Sequence, residues 1–140
     1  IKFDFSQEVI LKPLNPAQTF GSLKEVDMDN VMSGYHLGHP FDLKADEHGM
    51  LATAEDVGNF LRALNDGSIF EEGEQAIYSS IYEYEHTGWV PGYQSFAKYH
   101  RDLDTIFIGF YSTTDARLYN WNLSKIINHR IVKILKKKQV

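Results

Sequence analysis

Three strand-like runs follow one another between Ile81 and Tyr111, and they limit the chain to few architectures. Ile81 to Thr87 alternates Tyr82, Tyr84 and His86 against Glu83, Glu85 and Thr87, the period of a strand with two unlike faces. Tyr93 to His100 is the second run. Thr105 to Tyr111 is the third and is apolar on both sides, with Ile106, Ile108 and Phe110 on one and Phe107 and Tyr111 on the other. Such a strand belongs inside a sheet with both faces covered. Arg101-Asp102-Leu103-Asp104 is a hairpin-length connection between the second and third runs. A helix is predicted from about Leu118 to Lys136, packing on the sheet through Leu123, Ile127, Ile131 and Ile134, a stripe widened by Ile126 and Leu135. The expected fold class is α+β: an antiparallel β-meander packed against helices.

Upstream, the clearest helix is Ala54 to Leu64. Thr53 is its N-cap and Asp56 stands where the acid of a capping box would sit. Val57, Phe60, Leu61 and Leu64 form one buried stripe, and Asn65-Asp66-Gly67 supplies the stop. Ser6 to Leu11 reads as a short helix ended by Pro13, followed by a rigid segment marked by Pro16. From Gly21 to Gly49 the pattern is weak and loop-rich, and Gly67 to Gly73 reads as a surface loop.

The 140 residues suffice for a single domain, 1–140, and 43% hydrophobic content argues against disorder. The net charge of −5 disfavours a nucleic-acid surface. The basic run Lys136-Lys137-Lys138 is read as a solvated tail that suits a helix C-terminus. With no cysteine, thiolate catalysis, disulfides and Cys-ligated zinc are excluded. No apolar run approaches the ~20 residues of a membrane span, and no signal peptide opens the chain. Ile1 is not an initiator methionine, so the chain is expected to be cut from something longer.

Candidate chemistry concentrates in His86-Thr87-Gly88-Trp89, at the end of the first strand run. His86 could move a proton or stabilise an anion. The Thr87 hydroxyl could bond a carboxylate or carbonyl. Gly88 lets a ligand approach the backbone, and the Trp89 amide could then serve a developing oxyanion. The alternative is an ordinary strand end in which Gly88 makes a bulge or turn. Tyr82 and Tyr84 either line the same side as His86 or pack on the terminal helix. His36, His39 and His48 match no metal-ligand spacing and are read as loop or solvent residues, and His100 and His129 as surface positions. No metal and no cofactor are expected.

Leu11-Lys12-Pro13-Leu14 with Thr19, Gly34-Tyr35, Met50-Leu51-Ala52-Thr53-Ala54-Glu55-Asp56-Val57 with Phe60-Leu61, His86-Thr87-Gly88, Pro91-Gly92-Tyr93 and Ser95-Phe96 occur in this order along nearly the whole chain. Together they resemble segments of the serine β-lactamase and penicillin-binding-protein superfamily, in its class C-like branch of esterases and peptidases. Asn15 stands where that branch usually has glycine. The resemblance implies the C-terminal part of the β-lactamase-like (serine transpeptidase) fold, with residues 1–140 a fragment of a longer domain. His86 would then be the catalytic residue of the third active-site motif, and Thr87, Gly88 and Trp89 its substrate-binding residues.

The family's Ser-x-x-Lys nucleophile and its Tyr-x-Asn or Ser-x-Asn motif lie upstream of everything matched. Ser95-Phe96-Ala97-Lys98 is a Ser-x-x-Lys, but on a strand positions three apart point to opposite faces, so Lys98 does not reach Ser95. The expectation is a part of a serine hydrolase for β-lactam, ester or peptide amide, inactive by itself. The rival is a non-catalytic binding or assembly module. The resemblance also implies an extracytoplasmic setting. In the family, the strand matching Thr105–Tyr111 pairs with a strand of the N-terminal part, which implies self-association through that edge or its coverage by the missing part.

Overall fold

The structure is a computed structural model and describes residues 12–41, 50–81 and 85–138. After a helical turn at Lys12–Leu14 the elements run β1 (Thr19–Phe20), β2 (Gly34–His36), β3 (His39–Phe41), β4 (Leu51–Ala52), α1 (Ala54–Asp66), α2 (Glu74–Ile81), β5 (Glu85–Val90), β6 (Tyr93–His100), β7 (Thr105–Tyr111), β8 (Thr113–Thr114) and α3 (Tyr119–Lys138). Short 3₁₀ turns occupy Leu23–Glu25, Met28–Asn30 and Arg101–Leu103. The expected helix at Ser6–Leu11, His48, Tyr82 and Tyr84 lie outside the described residues.

The principal sheet is the antiparallel meander β5-β6-β7, so the expected α+β class holds. β1 pairs antiparallel with β4, and a third sheet has the order β3-β2-β8. β2 and β3 form a hairpin whose two turn residues, Leu37 and Gly38, both have positive φ, which suits the twist of the flanking strands. β2 pairs in parallel with β8, with Tyr35 opposite Thr113 and His36 opposite Thr114.

α1 forms as its signals dictate. The Thr53 hydroxyl accepts the Asp56 amide at 3.2 Å, and Gly67 closes the helix at φ +82°. Leu61, Ala63 and Leu64 are buried, and the helix lies against β6 and β7. The Asp56 carboxylate does not form the expected capping box. It is buried and accepts hydrogen bonds from the Ala17 amide at 3.2 Å, the Gln18 amide at 2.8 Å and the Thr19 hydroxyl at 2.8 Å, fastening the entry to β1 onto the helix start.

Three expectations are corrected. Ile81 ends a helix rather than starting a strand. α2 is nucleated by Glu74, whose carboxylate takes the Glu71 amide at 2.9 Å, while Tyr78 stacks on Phe70. The strand that follows runs on through Gly88 and Trp89 to Val90. β7 is last in the order of its sheet among the described residues, not interior. Its faces are partly covered, by α1 on one side and by α3 on the other, where the Tyr111 hydroxyl donates to Asn128 Oδ1, and Phe110 stays exposed.

The third correction concerns α3, which packs through the face opposite to the stripe expected. Trp121 stacks on Phe96 at 4.7 Å between ring centroids, Ser124 is buried and bonds the Asn120 carbonyl, and Asn128 meets Tyr111. Leu123, Ile126, Ile127, Ile131 and Ile134 stay exposed, and of the predicted set only Leu135 is half-buried. No helix among the described residues is long and apolar enough to cross a membrane.

Candidate functional site

His86, Thr87, Gly88 and Trp89 all lie on β5, the outer strand of the meander among the described residues. The register pairs His86 with Ala97, Thr87 with Phe96, Gly88 with Ser95 and Trp89 with Gln94. Strand alternation therefore sends His86 and Gly88 to the face that α1 partly covers, and Thr87 and Trp89 to the face of Phe96 and α3. His86 and Thr87 are exposed and Gly88 is half-buried. All four border one open strand edge, but the imidazole and the hydroxyl do not share a face.

The tip of β5 is a two-residue turn, Pro91-Gly92, with Gly92 at φ +89°, the conformation of a type II turn with glycine at its third position. With Val90 and Tyr93 as the closing hydrogen-bonded pair, alternation turns the Thr87 and Trp89 amides away from β6 and toward the open edge. The Trp89 N–H is thus presented to whatever sits beside β5. Gly88 also lets Ser95 lie across it: a Cβ there would meet Ser95 Oγ at 2.5 Å.

Long-range contacts hold the turn. The Gly92 amide donates to Thr114 Oγ1 at 2.7 Å, and the same oxygen lies 2.8 Å from His36 Nδ1. Thr114 is fully buried, and the His36 ring meets Trp89 edge-on at 6.3 Å. His36, which the loop-rich pattern assigns to a loop, is therefore a strand residue beside the candidate site, and Thr114 carries no local sequence signal. Only the pairing of β2 with β8 brings them there. Gly34 lies flat under Tyr93, so that a Cβ would meet the ring at 2.5 Å. Burial raises the Tyr93 phenol, partly offset by the Gly34 backbone amide.

Ser95 and Lys98 are on opposite faces of β6, and Lys98 is engaged in an ion pair with Glu85. They form no nucleophile–base pair. His39 is on β3, and His100, expected at the surface, is half-buried, its imidazole lowered chiefly by burial. Among the described residues no group of three or more histidines and carboxylates could hold a metal ion.

The chain matches two crystal structures of D-amino acid amidase from Ochrobactrum anthropi SV3. One, complexed with D-phenylalanine, shares 17% identity at a TM-score of 0.72 and covers 94% of this chain and 53% of that one. The other, complexed with L-phenylalanine amide, shares 16% identity at 0.74 and covers 98% and 52%. The chain thus has the fold of the C-terminal part of that amidase, a penicillin-binding-protein and β-lactamase type of architecture, as the motif order led one to expect. It spans about half the length of these neighbours. No family model and no curated protein matches the sequence.

Proposed function

We propose that residues 1–140 are one part of a longer serine-hydrolase domain and contribute the third-motif wall of its acylation site. The observation that carries this is the open edge of β5. It combines His86, the Thr87 hydroxyl, the bare Gly88 backbone and an outward Trp89 amide on a fold shared with an amidase. In the intact site an upstream serine attacks the carbonyl of an ester, amide or β-lactam, and water then releases the acyl group. In this reading the Trp89 N–H steadies the oxyanion and His86 exchanges the leaving-group proton. An amino-acid amide is the first substrate class to try, since that is what the structural neighbours act on by name.

Ser95 and Lys98 form no nucleophile–base pair, so in this reading the chain's turnover of p-nitrophenyl acetate, nitrocefin and D-phenylalanine amide should stay at the level of the His86→Ala variant. Robust turnover abolished by Ser95→Ala would overturn the site assignment. The rival reading is a non-catalytic assembly module. Transcript mapping separates the two: a reading frame entering from upstream with Ser-x-x-Lys supports the hydrolase part, and a start at Ile1 supports the module.

A further inference from the structure

The outer face of α3 is apolar and open. Tyr119, Leu123, Ile126, Ile127, Ile131 and Ile134 are between 37% and 66% exposed, on the side of the helix turned away from Trp121, Ser124 and Asn128. At 100° per residue these six fall within less than half of the helix circumference. They leave on the order of 600 Å² uncovered. With the stems of flanking side chains this approaches the ~800 Å² that one partner contributes to a specific interface. An apolar stripe of this size on a charged helix marks a contact surface.

The pattern on this face is self-complementary. Its apolar row is centred between Ile126 and Ile127, and Tyr119 and Ile134 each stand two turns from that centre. α3 carries six cations and no acid, but they are unevenly placed. On the outer side Arg130, Lys133 and Lys137 all lie beyond the centre, while the half from Tyr119 to Ile127 offers none. Lys125, the remaining cation of that half, sits over the Trp121 ring on the inner side. Two parallel helices would stack these cations on one another. Two antiparallel helices would lay each basic half against the partner's uncharged half, and Arg130 would extend its stem over Leu123 of the other copy.

We propose that the occupant of this face is a second copy of the chain, docked through α3 in an antiparallel, two-fold arrangement centred on Ile126 and Ile127. Such an isologous contact needs one patch that complements itself, which this row provides. The inference uses no residue of β5, and coverage of the α3 face by the rest of a longer hydrolase domain would leave that domain monomeric and overturn it.

The test is light scattering and sedimentation equilibrium of the chain at 5–200 μM. The expected species has twice the 16.1 kDa chain mass, and Ile127→Glu with Ile134→Glu should raise the dissociation constant at least tenfold with unchanged circular dichroism. Because the chain has no cysteine, single introduced thiols report the geometry cleanly. Ile127→Cys should cross-link to itself on mild oxidation. Tyr119→Cys mixed with Ile134→Cys should cross-link, and Ile134→Cys alone should not. A monomer at every concentration, a dimer indifferent to the glutamates, or self-linking of Ile134→Cys would overturn the proposal. So would a monomeric chain that binds phosphatidylglycerol vesicles through this face.

Discussion

The Thr114 hydroxyl accepts the Gly92 amide at 2.7 Å across 22 residues of chain. Type II turns splay hairpin strands and are not the preferred two-residue connection, so this bond is what holds the β5–β6 tip in place. Thr114→Val keeps the shape but leaves a buried amide without an acceptor. It should cost about 1–3 kcal/mol in urea unfolding, with Thr114→Ser recovering most of it. A Val variant as stable as the parent would show that the turn holds itself.

Asp56 accepts three hydrogen bonds in a buried position. Asp56→Asn presents an NH₂ group to donors on one side and removes the charge, so a loss of about 2–4 kcal/mol is expected. Hydrogen exchange should locate the damage: the Ala17 and Gln18 amides should lose protection before the meander does. Uniform loss across the molecule would mean that the carboxylate supports the whole fold rather than one joint.

Asp115 caps α3, and its carboxyl is lowered first by the Asn120 amide and then by those of Tyr119 and Arg117. A depressed folded value means that its contribution is complete above the unfolded aspartate value, ~3.9, and is lost as pH falls through the folded one. Asp115→Asn should therefore be less stable than the parent at pH 7, and the gap should close as pH falls through the lowered folded value. A gap that persists unchanged at pH 2 would show that the charge is not what the helix start uses.

Gly34 and Gly38 sit four residues apart and should respond differently to alanine. At Gly34 the added Cβ would lie 2.5 Å from the Tyr93 ring; at Gly38 there is nothing within 4 Å, only the positive φ of +79°. Gly34→Ala should cost about 2–4 kcal/mol by overpacking, and Gly38→Ala about 1 kcal/mol by backbone strain. Thermal unfolding of the two variants tests the order.

What was legible in the sequence was local. Thr53, the apolar spacing of α1 and Gly67 act within a few residues, and the helix appears where they put it. β6 and β7 were equally plain, since each is a short run bounded by turn residues and rich in aromatic or β-branched side chains. α3 was found but turned the wrong way, because it has two apolar sides and periodicity does not say which one meets Phe96 and Tyr111. Aromatic and β-branched residues around Ile81 suggested a strand, where Glu74 capping the turn before it makes a helix. The four β5 site residues were legible as a motif. Their division between two faces follows from alternation alone, whereas the arrival of His36 and Thr114 depends on a parallel pairing no local pattern announces.

That pairing has a consequence for the order of assembly. β5, β6 and β7 join through short connections and can zip up early, but His36 meets Thr114 only after a loop of 78 residues has closed. The last event in maturation would then be the docking of β8 on β2, which locks the Pro91-Gly92 corner beside Trp89. A chain that has folded its hairpins but not yet made this closure would have a native-looking spectrum and an unfinished binding edge.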